Sequence, residues 1–333
     1  MNSQPLAPIA LFVYNRPELT RSTLEHLARN EEASRSRLYV FCDGPKPGSS
    51  PAQLAKIREV QEVVRQKPWC GEMKIIQSDV NRGLANSVIR GVTQVVREHG
   101  KVIVLEDDLS VSAYFLRYMN EALQMYETDK RVLVIHGYVY PVKLPASVTS
   151  TTFFTRDPGC WGWATWRRAW EFFEPDTRRL YTLIRLKGLR KPFTFWGGYP
   201  YMRMLRQQMA GKVDSWAIRW RAVAYLHDKL TLYPTVSLVR HDGNVPEATH
   251  HYTGEKDYTY TEISPNPVVL EKIPIENNEE AERAFGWFLK KYSGMSIRSK
   301  IKRRLKMLVP RKKKLPVVPA DPPLTMEEGN NPD

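Results

Sequence analysis

Residues 102–115 read VIVLEDDLSVSAYF, an apolar run that ends abruptly at Glu106, Asp107 and Asp108. Val102–Leu105 is short, β-branched and continuous, the pattern of a strand covered on both faces. The three acids therefore fall where such a strand leaves its sheet, the edge at which open α/β sheets bind ligands. Adjacent carboxylates repel and raise one another's pKa unless a cation or a set of donors offsets the repulsion. A divalent ion with hard oxygen ligands, Mg²⁺ or Mn²⁺, is the simplest remedy. A solvated loop, or acids in the first turn of a helix beginning near Ser110, is the ordinary alternative. The position behind a buried strand favours the metal.

Working outward, the N-terminal third alternates strand-like and helix-like pieces. Ile9–Tyr14, Leu38–Cys42, Lys74–Gln77 and Val102–Leu105 are predicted strands. Between them lie helices opened by Pro17, carried by Leu54, Ile57, Val60 and Val64, and closed at Gly100. This βαβαβαβ order predicts an α/β fold with a mainly parallel central sheet flanked by helices, its strand ends sharing one edge. Four features meet there: Tyr14-Asn15-Arg16, Asp43-Gly44, Asn81-Arg82-Gly83 and the acidic triplet. An arginine, a ribose-reading carboxylate, a helix N-terminus and a metal site on one edge suit a nucleoside diphosphate. Neither GxxxxGK[ST] nor GxGxxG follows the first strand, which removes the kinase and dehydrogenase readings.

Beyond Ser112 a helix carrying Phe115, Met119, Leu123 and Tyr126 precedes a strand at Val132–His136. Arg156–Asp176 then packs Trp161, Trp163, Trp166 and Trp170 into ten residues, with Gly159 and Gly162 among them. Aromatic faces bury much area while their N–H groups can bond sugar hydroxyls. Most of this cluster is expected in the core, with Trp161, Gly162 and Trp163 approaching a ligand. Lys212–Leu226 has helical spacing, with Asp214 and Ser215 as N-cap candidates. Leu230–Leu238 is predicted as a strand pair broken at Pro234, and Val239–His251 as a loop.

Among 333 residues, 42% hydrophobic, no stretch of about 18 uninterrupted apolar residues occurs. The first residues lack a basic region, so neither signal peptide nor membrane anchor is expected. Cys42, Cys70 and Cys160 lack metal-type spacing and fit small buried thiols in a reducing cytosol. Ser296–Lys314 holds ten Lys or Arg and no acid, leaving +4 of the net +14 for the rest. Ile297, Ile301, Leu305 and Leu308 recur there at helical intervals, as in an interfacial amphipathic helix. Residues 291–314 are thus expected to face an anionic membrane, with nucleic-acid contact as the rival and no DNA-binding module to support it. Residues 315–333 read as disordered.

IALFVYNRP, YVFCDGP, DVNRGLANSV and VIVLEDDLSVSAYFLRYMNEAL together resemble the donor half of GT-A (nucleotide-diphospho-sugar transferase) glycosyltransferases. GCWGWATWRRAW and the later DSW resemble bacterial sugar transferases related to N-acetylglucosaminyltransferase I. The likeness spans roughly residues 6–255. It implies a GT-A domain over 1–290, with a nucleotide-binding half to residue 110 and an acceptor half after it. By this resemblance Asp108 is the metal ligand, and Glu106 and Asp107 contact ribose or donor sugar. Tyr14, Arg16, Asp43, Arg82 and Gly83 likewise sit at positions that grip phosphate, uracil or ribose. The related pattern has two acids before Trp; here the second is Ser215, which leaves Asp214 as the implied general base of an inverting transfer. His250, in an ATHH segment, matches a histidine near the diphosphate or metal, and His241 is a second candidate. The expected reaction moves a sugar from a nucleotide-sugar, a UDP-sugar by preference, to a glycan or lipid-linked hydroxyl, at the inner face of the cell membrane. A nucleotidyltransferase on a similar sheet and a non-catalytic basic binder are the rivals.

Overall fold

The computed structural model describes residues 5–243 and 260–292. In chain order it contains β1 (Ile9–Val13), α1 (Pro17–Ala28), β2 (Arg37–Cys42), α2 (Pro51–Arg65), β3 (Glu72–Gln77), α3 (Leu84–His99) and β4 (Lys101–Glu106). There follow β5 (Leu109–Val111), α4 (Phe115–Met125), β6 (Val132–His136), β7 (Thr152–Thr155), β8 (Trp163–Trp166), α5 (Arg167–Trp170) and α6 (Thr177–Leu186). The remainder is α7 (Arg190–Phe193), α8 (Tyr201–Met209), α9 (Trp216–Leu226), β9 (Leu230–Pro234), β10 (Val239–His241) and α10 (Glu279–Tyr292).

The first four strands pair in parallel in the order β3-β2-β1-β4, as their alternation with helices requires. Local chemistry sets the helix limits. Ser50 and Gln53 form a reciprocal capping box around Pro51, and Gly100 closes α3 in the left-handed conformation. Beyond β4 the sheet becomes mixed: β8 lies antiparallel between β4 and β6, β9 runs parallel to β6, and β7 closes the edge antiparallel to β9. The α/β class and the parallel half are as expected. Trp163–Trp166 is strand, a role its aromatic crowding concealed.

Two local expectations are corrected. No helix begins near Ser110; Leu109–Val111 is β5, and the helix starts at Phe115. Nor is Val239–His251 loop throughout, since Val239–His241 is β10, paired antiparallel with β5 so that His241 faces Leu109 and Val239 faces Val111. This two-stranded clip folds the chain after β9 back onto the acidic edge.

The core runs through the sheet and the helices packed on it. Helix α9 is buried on every side except at Ala217, so its charged members Arg219 and Arg221 must find partners inside. Trp163, Trp170 and Trp220 pack into one aromatic block, and Trp163 stacks on Trp216 at 5.1 Å.

Candidate functional site

Glu106 is the last residue of β4, paired with Phe12, so the strand carries the first acid and the turn carries the next two. Arg16, at the N-cap of α1, reaches across from the β1 end. Its Nη1 donates to Asp108 Oδ2 at 2.8 Å and its Nη2 to Asp107 Oδ1. The Tyr14 backbone N–H donates to the second oxygen of Asp107 at 3.3 Å. The counter-charge expected from a metal is therefore supplied by an arginine clamping both aspartates, in addition to any ion.

Burial and pairing drive the three acids apart in strength. Burial, reinforced by Asp108 and opposed by Arg16, pushes Glu106 up to about 8. Burial also raises Asp107, to about 6, against the pull of Arg16. At Asp108 burial pulls the same way but is outweighed by His241 and Arg16, which hold the carboxyl at about 2. Neighbouring carboxyls separated like this differ in acidity, with Asp108 the strongest acid of the three.

The clip of β5 and β10 puts His241 Nε2 3.5 Å from Asp108 Oδ2, and the Asp242 N–H donates to the Asp108 carbonyl at 2.8 Å. Gly243 lies against the same carboxylate; a Cβ there would stand 2.3 Å from Oδ2. Asp108 Oδ1 and His241 Nδ1 are both buried with no protein hydrogen-bond partner. His241 turns Nε2, and not the bare Nδ1, toward Asp108, so the carboxylate and Nε2 are the pair a divalent cation could join, and no group of three candidate ligands exists among the described residues. Two protein ligands, with water and phosphate oxygens completing the shell, is an arrangement usual for Mg²⁺. His250 lies outside the described residues.

A cavity of about 390 Å³ opens from these acids. Arg16, Glu106, Asp108, His241 and Gly243 line one part, and Asp214, Ser215 and Trp216 another. The rest is an aromatic chamber that includes Trp161, Tyr138, Tyr140 and Tyr201. Trp161 stacks on His241 at 4.7 Å, which ties the aromatic wall to the acidic edge.

Asp214 receives Arg219 Nη2 at 2.9 Å and Gln208 Nε2 at 3.2 Å, both on Oδ1, and is half exposed. The N-cap of α9 is Ser215, whose hydroxyl accepts from the Ile218 N–H at 3.3 Å. The capping role open to either residue thus falls to Ser215, and Asp214 is free of it.

Other expected site residues lie elsewhere. Trp163 is fully buried in the tryptophan block and does not reach the cavity, because its strand turns it toward α9. Gly162 also stays outside the cavity lining: its positive φ and bare Cα admit Val239 of the clip, which a Cβ would meet at 2.7 Å. Asp43 spends both oxygens on Asn81 Nδ2 and the Gly44, Arg82 and Gly83 N–H groups, at 2.8–3.0 Å. It moulds the loop into α3. Asp43 and the exposed Arg82 border a separate hollow of about 120 Å³, so the four strand ends serve two depressions. Tyr14 contributes its backbone, while burial raises its phenol.

Asp157, Arg221, His136 and Tyr233, none of them expected at a site, also line the main cavity. Asp157 and Arg221 form a buried ion pair. The guanidinium also donates to the Phe193 carbonyl at 3.0 and 3.1 Å and lies 4.1 Å from the ring centres of Phe195 and Tyr201. Arg221, one of two arginines inside the otherwise apolar run WAIRWRAVAYL, was the available signal.

No family model matches the chain, and no curated protein matches it. Solved structures give partial overlaps. Mannosyltransferase PcManGT from Pyrobaculum calidifontis, in complex with GDP-Man and Mn²⁺, is similar at 12% identity and TM-score 0.37, over 68% of this chain and 71% of that one. TarS of S. aureus is similar at 13% identity and TM-score 0.30, over 45% of this chain and 24% of that one. An active-site mutant of LgtC overlaps at 10% identity and TM-score 0.28, over 50% of this chain and 60% of that one. Overlap at this level assigns no activity.

Proposed function

We propose that the chain is a glycosyltransferase of the GT-A type that moves a sugar from a nucleoside-diphosphate donor, a UDP-sugar by preference, to a hydroxyl of a glycan or lipid-linked acceptor. The observation that carries this reading is the convergence of Asp108, Arg16 and His241 at the strand edge of a cavity whose remaining wall is aromatic. Anion-binding groups and ring-stacking groups in one enclosure suit a ligand with a charged end and a sugar end.

Asp108 and His241 would hold Mn²⁺ or Mg²⁺, which when bound supplies charge neutralisation for the departing diphosphate. Arg16 keeps the acidic edge folded and adds positive charge beside it. The first turn of α3, with no side-chain cap and with Leu84 in the cavity wall, offers backbone N–H groups to phosphate. Asp214, at the cavity wall and not committed to a cap, is the group that takes the acceptor's proton, giving direct displacement with inversion. Trp161 provides the ring face. Residues 1–290 form the catalytic domain in this reading. Among the described residues no helix is long and apolar enough to cross a membrane. The basic segment 291–314, which lies outside the described residues beyond Tyr292, is the proposed contact with an anionic lipid surface, in preference to nucleic acid, because of its charge.

Calorimetric titration with UDP, GDP, CMP and their common sugars, with and without Mn²⁺, tests the reading. Metal-dependent binding of one nucleotide, lost in Asp108→Ala, is expected. Absence of nucleotide binding by the folded wild-type chain overturns it.

A further inference from the structure

The aromatic chamber contains two polar groups that the proposed transfer does not use. His136, the last residue of β6, lines the cavity although it is 2% exposed. Its Nδ1 stands 2.8 Å from the Tyr138 carbonyl oxygen. A carbonyl only accepts, so Nδ1 carries the proton and Nε2 of the neutral ring is an acceptor. Burial, against the opposing charge of Asp157, pushes the imidazole down to about 4 and keeps it neutral. Nε2 is buried with no protein partner. Tyr233, with its ring 4.7 Å from that of His136, has an equally buried and unpartnered hydroxyl.

A buried polar atom without a partner is costly. Two of them, carried on rings 4.7 Å apart at a cavity wall, specify what belongs there. The ligand group must donate to Nε2, which rejects a phosphate or carboxylate oxygen. It must also meet a phenol able to donate or accept. An alcohol hydroxyl does both. The charges nearby are already cancelled, since Arg221 is paired with Asp157 and bonded to the Phe193 carbonyl, so no net charge in the chamber attracts an anion. Tyr138, Tyr140 and Tyr201 provide aromatic surface for the C–H faces of a ring. Gly159, at φ +60°, leaves its Cβ position empty against the His136 ring, where any side chain would stand 2.2 Å from Nε2.

We propose that His136 and Tyr233 form a sugar-ring subsite, in which Nε2 accepts a hydrogen bond from one ring hydroxyl and the Tyr233 hydroxyl bonds the same or the adjacent one. This rests on the transferase reading for its purpose and names the residues that select the sugar. The ring belongs either to the donor or to the acceptor.

The experiment uses the full chain, wild type, His136→Asn and Tyr233→Phe. Asn can keep the inner bond to the Tyr138 carbonyl through its amide while removing the Nε2 acceptor, and Phe keeps the Tyr233 ring. Affinities are measured by ligand-observed NMR for UDP, GDP, UDP-glucose, GDP-mannose and the methyl glycosides of glucose, galactose and mannose. At least one sugar-bearing ligand is expected to bind each variant about tenfold more weakly, the worth of one net hydrogen bond, with UDP and GDP unaffected. A monodeoxy analogue lacking the contacted hydroxyl binds wild type and His136→Asn alike. Loss confined to nucleotide-sugars assigns the ring to the donor, and loss confined to methyl glycosides assigns it to the acceptor. Sugar affinities unchanged within twofold in both variants, with near-UV circular dichroism preserved, overturn the proposal and leave these atoms to a structural water. Nucleotide binding with no sugar dependence in the wild type also overturns it, while leaving the transferase reading standing. Sugar binding that responds to the variants without any nucleotide binding does the reverse.

Discussion

Replacing Arg16 with Met removes the cation that holds the acidic edge together. Arg16, Asp107 and Asp108 have side chains only 17%, 3% and 10% exposed, so solvent cannot take over the lost charge. Breaking a buried pair by deleting one partner costs about 3–5 kcal/mol, because an uncompensated charge stays inside. Arg16 serves two carboxylates, which places the expected loss at the upper end, against a total stability of about 5–15 kcal/mol. With a urea dependence of about 3 kcal/mol per molar, the unfolding midpoint should fall by more than about 1 M. Tryptophan fluorescence reads the transition through the buried Trp block. A double-mutant cycle makes the reasoning specific: Asp107→Asn in the Arg16→Met background removes one stranded charge, so the two substitutions must be non-additive by about 1–3 kcal/mol in the sense that the second relieves the first. If Arg16→Met costs less than about 1 kcal/mol, or if the pair is additive, the clamp does not carry the edge and the electrostatic account fails.

Asp214→Asn keeps an oxygen for Arg219 but removes its counter-charge, so the unfolding midpoint should fall modestly although Ser215 still caps α9, while kcat for sugar transfer falls by about 10²–10⁴. Ser215→Ala is the complement, losing about 1 kcal/mol of stability with kcat largely retained. His136 adds a pH dependence whose sign follows from its pKa of about 4 in the fold against about 6.5 in the unfolded chain: below about pH 6.5 the unfolded state takes up a proton that the folded state refuses. Wild type should therefore lose up to about 3 kcal/mol between about pH 6.5 and 4 that a His136→Asn chain does not, seen as different slopes of urea midpoint with pH. Asp157→Asn strands Arg221 in the interior and should cost about 3–5 kcal/mol in the same assay, with Arg221→Met in that background restoring much of it.

The residues that announced themselves in sequence did so through local chemistry. Ser50-Pro51 and Gly100 carry their helix limits in their own conformational preferences, and Val102–Leu105 carries its burial in an unbroken apolar run. What stayed hidden depends on distant partners. Strands of three residues, β5 and β10, show no period, and they pair across a separation of more than 120 residues, so neither segment alone reveals the clip. Asp43 read as a ligand-binding acid because a carboxylate at a strand end looks the same whether it faces a ribose or four donors of the next loop. Asp157 and Arg221 lie 64 residues apart and are joined only by the packing of α9 behind the cavity. Trp163 packs in the core for a geometric reason: alternation along β8 decides which tryptophan faces α9, and sequence crowding alone does not.

The arginine clamp also changes how a metal would relate to folding. Were an ion the sole relief for three neighbouring carboxylates, its binding energy would be folding energy, and removing it would unfold the edge. Here Arg16 binds both aspartates, and burial raises Glu106 above the usual carboxylate range, which eases its repulsion of Asp108. The edge is therefore preformed, and under the proposed function an ion at Asp108 would be exchangeable, arriving with the diphosphate. Under the proposed function, chelation should accordingly abolish nucleotide binding while shifting the thermal midpoint of the free protein by less than about 1 °C, the equivalent of well under 1 kcal/mol. A collapse of the fold on chelation would show that the ion, and not Arg16, neutralises the triplet.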